Sequence, residues 1–175
     1  MSKLKEFYKK HREVILYLAF GAFTTVVSLA TYYLTFVVSE KVFGLSLADK
    51  KSGVYIAVYS TAQVLQWLSG VIFAFITNKK WVFTESDKSI PVIKQLGIFA
   101  GGRVATFFLD YGLTYVGVRL LDKLMNGADF PFNLGFTVLH SNAEFISKLI
   151  VSVIVVVTNY ILSKVFVFKK SKNVS

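Results

Sequence analysis

Four long apolar stretches decide what this chain can fold into. Val14–Val38 runs 25 residues without Asp, Glu, Lys or Arg, and Val54–Ile76 runs 23 under the same condition, with Gln63 and Gln66 inside. Leu96–Val118 is another 23 residues, interrupted by Arg103 and Asp110. Leu149–Ser163 is shorter and reaches spanning length only by extending from about Phe145 to Phe168. A helix needs about 20 apolar residues to cross a hydrocarbon core of roughly 30 Å. In lipid every backbone N–H and C=O must bond within its own segment, so helices are the default. The many Val and Phe residues favour strands in water, but the backbone requirement overrides that preference. The sequence predicts an all-α integral membrane protein, a single domain over 1–175 with four transmembrane helices at about 14–38, 54–76, 96–118 and 145–168.

Composition supports lipid over water. Hydrophobic residues make up 54% of the 175 and charged ones 17%, whereas soluble domains carry about 25% charged residues. A chain this small buries a modest fraction of its surface, so most of that apolar surface must meet acyl chains. The first stretch is much longer than the roughly 7–15-residue core of a signal peptide, and no small-residue cleavage site follows it. There is no cysteine, which excludes a disulfide scaffold and a Cys-ligated metal.

Basic residues set the expected orientation. Lys3, Lys5, Lys9, Lys10 and Arg12 precede the first span; Lys79, Lys80, Lys88 and Lys94 lie between the second and third; Lys164, Lys169, Lys170 and Lys172 follow the fourth. The opposite side holds Lys41, Lys50, Lys51, Arg119, Lys123 and Lys148. Thirteen against six places both termini in the cytoplasm for a multi-pass protein of the cell membrane. The net charge of +10 is thus a topology signal that also favours anionic headgroups, and nucleic acid is not an expected partner.

The ends of spans two and four align without a gap. Phe75-Ile76-Thr77-Asn78-Lys79-Lys80-Trp81-Val82-Phe83 lies over Tyr160-Ile161-Leu162-Ser163-Lys164-Val165-Phe166-Val167-Phe168. Spans one and three align more weakly, with Tyr17 over Phe99, Gly21 over Arg103, Thr24 over Thr106 and Ser28 over Asp110. The expectation is two tandem two-helix repeats, about 14–83 and 96–168, parallel in topology because an even number of spans returns the chain to one side.

Arg103 and Asp110 are the residues most in need of a purpose. A charge inside a span costs at least about 2.5–3.5 kcal/mol on insertion scales. Seven residues apart, they share a helix face but stand roughly 10 Å apart along the axis, too far for a tight pair. Each should meet a partner elsewhere, either a polar headgroup or a buried network in which Arg103 meets Gln63, Gln66 or Asn159. Lys79, Lys80 and Lys164 are flanked by Trp81, Phe83, Phe166 and Phe168, which read as interfacial aromatics beside snorkelling lysines or as the rim of a lipid-phosphate site. Gly97, Gly101 and Ala105 read as a close-packing stripe. Glu144 and Lys148 read as a helix-surface pair. Pro91 marks the start of helix three, with Val92–Gln95 as its first turn. Asp122–Asn142, with its Phe130-Pro131-Phe132 and Gly135-Phe136, reads as an interfacial or re-entrant element. His11 and His140 stand apart, so no metal site is expected, and no nucleotide loop, nucleophile elbow or other catalytic motif appears. The chain reads as a non-enzyme without cofactors.

With Gly21, the Asn78–Phe83 run, Phe99, Arg103 and the Lys164–Phe168 run, the sequence resembles the GtrA-like family of small four-span membrane proteins, over roughly Tyr17 to Phe168. It departs from the family in span one, where Thr24-Thr25 and Ser28 stand in place of an Asn-Thr followed by Asp. The resemblance implies work on polyprenyl-phosphate-linked sugars. It implies a flippase moving undecaprenyl-phosphate-hexose across the cytoplasmic membrane for glycosylation of cell-surface polysaccharide. The alternatives are a scaffold or anchor for a polyprenyl-phosphate glycosyltransferase, or a small lipid-binding regulator. Under the first reading Arg103, Lys79 and Lys164 bind the phosphate. Asp110, Gln63, Gln66 and Asn159 supply hydrogen bonds to the sugar along a polar path. Partners would be the lipid-linked sugar, a glycosyltransferase and, on grounds of size, a second copy.

Overall fold

The computed structural model describes residues 3–126, 128, 130–133 and 138–169. Four helices are long and apolar enough to cross a bilayer: α1 (Lys3–Lys41), α2 (Gly53–Thr77), α3 (Val92–Met125) and α4 (Ala143–Leu162). Five-residue π-helical turns extend α2 through Asn78–Val82 and α4 through Ser163–Val167. The helices start where capping chemistry permits. Ser52 Oγ accepts from the Tyr55 N–H at 3.1 Å, and Asn142 Oδ1 accepts from the Phe145 N–H at 3.0 Å, each satisfying an orphan first-turn donor. Pro91 precedes α3, and its carbonyl takes the Gln95 N–H at 3.1 Å. The chain leaves α1 through Gly44 at φ +63°, a conformation glycine adopts without penalty. The most apolar window of α1 has mean hydropathy 1.9, yet 6% of it is buried within the protein. That outward surface belongs in lipid, and the protein is a multi-pass membrane protein.

The chain divides into two compact units. One holds the chain up to Leu96 together with Phe168 and Lys169; the other runs Gly97–Val167.

In the first unit α1 packs on α2, and the two approach closely at Gly70, where an added Cβ would collide with Ser28 Oγ and touch Thr24. Tyr32, Phe36, Tyr55 and Tyr59 interlock toward one end, at ring-centroid separations of 5.1–6.4 Å. Toward the other end Phe83 stacks on Phe168 at 5.1 Å, with Tyr17 6.4 Å from Phe83 and Phe75 5.7 Å from Phe168. Such ring pairs add roughly 0.5–1.5 kcal/mol each beyond area burial.

In the second unit α3 lies on α4, with Gly117 against Ser147 and Gly102 near Leu162. α3 turns out through Asn126 at φ 51°, a residue that tolerates the left-handed region. The segment expected as interfacial or re-entrant contains an antiparallel hairpin, β1 (Phe130–Asn133) and β2 (Val138–Ser141), in the register Phe130↔Ser141 to Asn133↔Val138. Gly135-Phe136 lies outside the described residues, as do Lys170 and Lys172.

The small-residue stripe needs correcting. Among the described residues a Cβ built at Gly97 or Gly101 meets nothing within 4 Å, so neither glycine brings described helices together. Close packing falls at Gly70 and Gly117 instead, because it depends on which face meets the neighbour and not on spacing alone.

Candidate functional site

Polar side chains of the Gly97–Val167 unit lie along one seam. On α3, Arg103, Thr106, Asp110 and Thr114 recur at steps of three and four residues, which keeps them on one face. Three direct contacts cross to α4. Thr106 Oγ1 donates to Asn159 Oδ1 at 3.0 Å, with both residues buried. Lys148 Nζ donates to Asp110 Oδ2 at 2.5 Å. Ser147 Oγ donates to the Thr114 carbonyl at 3.3 Å. In a medium without water these bonds stand in for solvation.

Arg103 lies at one end of this seam, half-buried. Its guanidinium carbon stands 4.8 Å from the Phe99 ring centroid, one turn earlier on α3. A cation at that distance over a ring face is a favourable cation–π contact. The side chain borders a groove of about 290 Å³ whose other polar side chains are Asn159 and Ser163, while Phe99, Leu162 and Phe166 form much of its apolar wall. The arrangement suits an amphiphile with one anionic group: a rigid two-pronged donor beside a surface that accepts hydrocarbon.

The two lysines expected as phosphate ligands share a local geometry. Lys79 Nζ lies 5.9 Å from the Phe75 ring centroid and Lys164 Nζ lies 5.3 Å from that of Tyr160, each one turn after its ring. Each follows the first residue of a π turn, and the N–H groups of Asn78 and Ser163 are shared between the two carbonyls three and four residues back. π turns displace the following side chains relative to an α-helix and recur at functional sites. Beyond that the two differ. Lys164 donates to the Tyr160 hydroxyl at 3.0 Å, whereas Lys79 donates to Gln95 Oε1. Gln95 is fully buried and also donates to the Asp87 carbonyl at 3.2 Å, so in the first unit Lys79 is tied into the α2–α3 connection.

Gln63 and Gln66 have local bonds: Gln63 donates to the Tyr59 hydroxyl at 2.7 Å, and Gln66 donates to Gln63 Oε1. Of the four aromatics read as interfacial, Trp81 and Phe166 are exposed, as that role requires. Trp81 stacks on Phe20 at 5.3 Å under the Lys80 ammonium, and Arg12 donates to its carbonyl at 3.2 Å. Phe83 and Phe168 do not fit it. At 6% and 2% exposure they are core residues stacked on one another.

Sequence reasoning missed three residues. Gln95 gave no signal beyond its polarity. Asn78 Oδ1 is buried and has no hydrogen-bond partner among the described residues. Lys148, which sequence spacing pairs with Glu144 on its own helix, reaches across to Asp110 instead. The signal for that pair was available: a carboxylate within a span requires a cation, and Lys148 is the basic residue at the facing start of the next span.

Comparison with known proteins places this architecture. The chain is 28% identical over 158 residues to the uncharacterized membrane protein YwcD of Bacillus subtilis strain 168, covering 90% of this chain and 97% of the relative. It is 29% identical over 173 residues to the cell wall teichoic acid glycosylation protein GtcA of Listeria monocytogenes serovar 1/2a, covering 98% and 95%. A GtcA from Listeria innocua is 25% identical over 177 residues. No solved structure matches. The profile of the GtrA/DPMS transmembrane domain matches residues 16–168, both helix pairs with their π turns and the charged seam included, and the chain belongs to that family.

Proposed function

We propose that the protein carries a polyprenyl-phosphate-linked monosaccharide, of the undecaprenyl-phosphate-hexose type, across the cytoplasmic membrane to serve glycosylation of a surface polymer. The observation that carries this reading is the Arg103 guanidinium bordering an otherwise largely apolar groove beside Asn159 and Ser163. The isoprenoid tail needs no protein, because lipid solvates it. The phosphate and sugar do, since an ionised group costs several kcal/mol to bury unpaired. Arginine offers the phosphate two parallel charge-assisted bonds, and the Thr106–Asn159 and Asp110–Lys148 contacts offer exchangeable partners for sugar hydroxyls. The relatives named for teichoic acid glycosylation support a role in glycosylation with lipid-linked sugars. Both termini face the cytoplasm, as the basic residues favour. Movement is passive and follows consumption of the sugar on the far side; the protein acts as a carrier and not as an enzyme. A second copy completes the polar path, since four helices enclose little volume.

The test uses purified protein in vesicles with a polyprenyl-phosphate-hexose on one leaflet. Wild type should equilibrate the lipid. Arg103→Lys should slow it by roughly tenfold, the value of one charge-assisted hydrogen bond, and Arg103→Ala by more, with folding intact in both. An inert wild type overturns the carrier reading and leaves an anchor for a glycosyltransferase, measurable as co-purification. Arg103 variants that move lipid at the wild-type rate overturn the assignment of the phosphate to Arg103.

A further inference from the structure

The Lys148–Asp110 pair is not used by the phosphate site just described. It joins α3 to α4 at 2.5 Å, and its lysine side chain remains 55% exposed while paired, its aspartate 26%. An ammonium has three N–H donors. Asp110 takes one, and among the described residues the Lys148 ammonium forms no other hydrogen bond. A lysine at the start of a span does not need such a partner, because its flexible stem lets it snorkel to the headgroups. Asp110 does need one. The pair is therefore built around the carboxylate, and the lysine is held in the seam by it.

Its position gives that restraint a consequence. Asp110 lies two turns from Arg103 along α3, roughly 10 Å at 1.5 Å per residue. The Thr106–Asn159 contact falls between the two cationic sites on the same seam. Arg103 belongs to the end of α4 that carries Ser163 and Lys164, Lys148 to the opposite end. A phosphate leaving Arg103 along this face next meets Lys148.

We propose that Lys148 is a second binding site for the phosphate of a polyprenyl lipid, masked by Asp110 until the phosphate displaces the carboxylate. This deepens the carrier reading and rests on it. Two cationic sites about two turns apart along the seam shorten the stretch over which the anion is unpaired. The carboxylate keeps the second cation neutralised when no lipid is there, and it competes with the phosphate, so binding at Lys148 stays weak enough to permit release.

The experiment measures binding of a polyprenyl monophosphate to the purified full chain by native mass spectrometry, with size-exclusion profiles reporting folding. Asp110→Asn unmasks the lysine and should tighten binding roughly tenfold, one charge-assisted hydrogen bond. Adding Lys148→Gln to Asp110→Asn should cancel that gain. Adding Arg103→Gln to Asp110→Asn should lower overall affinity and leave the gain in place. The charge-reversed pair Asp110→Lys with Lys148→Asp keeps the tie between helices while moving the cation to α3; it serves as the folded reference if single variants are unstable. It should bind the lipid no better than wild type. An Asp110→Asn gain that survives Lys148→Gln, or no gain in a folded Asp110→Asn protein, overturns the proposal. Displacement of the lipid by an equal concentration of inorganic phosphate overturns its assignment to a lipid headgroup. If instead Arg103→Gln alone leaves affinity unchanged, the primary phosphate site has failed, a result separate from the effect of Lys148.

Discussion

Replacing Gly117 with alanine tests the packing of α3 on α4 at a single atom. The new Cβ would overlap Ser147 Oγ and lie 3.4 Å from Ser147 Cβ. Ser147 is 1% exposed and spends its hydroxyl on the Thr114 carbonyl at 3.3 Å. To accept the methyl group, the hydroxyl must rotate and abandon that bond, worth about 0.6 kcal/mol for an average interhelical hydrogen bond in a membrane protein. Overpacking adds about 1–3 kcal/mol. Alanine returns up to about 1 kcal/mol of helix propensity over glycine. The balance is a net loss of about 0.6–2.6 kcal/mol. Ser147→Ala in the Gly117→Ala background removes the overlapping oxygen and should recover all but the lost hydrogen bond. Gly101→Ala is the control: its Cβ meets nothing within 4 Å among the described residues, so it should be neutral or slightly stabilising. Unfolding in mixed detergent, followed by helical circular dichroism, reads all four proteins. A Gly117→Ala protein at least as stable as wild type, or one that Ser147→Ala fails to rescue, refutes the packing at this contact.

Three further outcomes are expected. Thr106→Val and Asn159→Ala in a double-mutant cycle should show a coupling of about 0.6 kcal/mol, with about 1.7 as a ceiling, and zero coupling would deny the bond. Phe83→Ala should cost about 3–5 kcal/mol as a core truncation, whereas Phe166→Ala, at an exposed position, should cost little; the same unfolding assay compares them. Asp87, in the connection between α2 and α3, accepts from the Ser89 N–H at 2.9 Å, which holds its carboxyl below the usual carboxylate range. A depressed folded-state pKa means the contribution is present above the unfolded value and is lost as pH falls through the folded one. Its side-chain carboxyl resonance should titrate below a free aspartate in a proton NMR-detected carbon experiment, and Ser89→Pro, which removes the N–H, should bring it back up.

The four spans were readable because lipid imposes a simple rule: about 20 apolar residues and no unsatisfied backbone. The Ser52 and Pro91 starts follow local chemistry of the same kind. What could not be read was direction around a helix. Spacing placed Gly97, Gly101 and Ala105 on one face, but in a membrane both the packed and the lipid-exposed faces are apolar, so periodicity carries no label for inside. The same ambiguity put Phe83 and Phe168 at headgroup depth when the structure buries them. At the site, Arg103 and Asp110 were legible because charge in a span is costly. Their partners depend on which residue of α4 faces which residue of α3, and that register follows from inter-helix packing such as Gly117 against Ser147, not from any pattern within one segment.

The aligned positions of the two helix pairs show what distinguishes a scaffold from a site. Both α2 and α4 run into a π turn with a lysine one turn after an aromatic ring. Both α1 and α3 place a threonine whose hydroxyl oxygen lies within hydrogen-bond distance of the carbonyl four residues earlier, 2.7 Å from Thr24 to Phe20 and 3.1 Å from Thr106 to Gly102, although the one Thr106 proton can go to Asn159 instead. The charges do not follow. Gly21 aligns with Arg103, Ser28 with Asp110 and Ala74 with Asn159. Repeating Arg103 and Asp110 in the first pair would add two in-span charges, at about 2.5–3.5 kcal/mol each on insertion scales, without a matching cation such as Lys148 facing them from α2, which holds no charged residue between Gly53 and Thr77. Small residues there let α1 and α2 approach closely at Gly70. The first pair is thereby free to be a well-packed apolar support, and the second bears the cost of the polar seam. It follows that moving the charges, with Gly21→Arg and Ser28→Asp, should destabilise the protein far more than the reciprocal Arg103→Gly and Asp110→Ser. The reciprocal changes should abolish lipid movement while leaving the helices assembled.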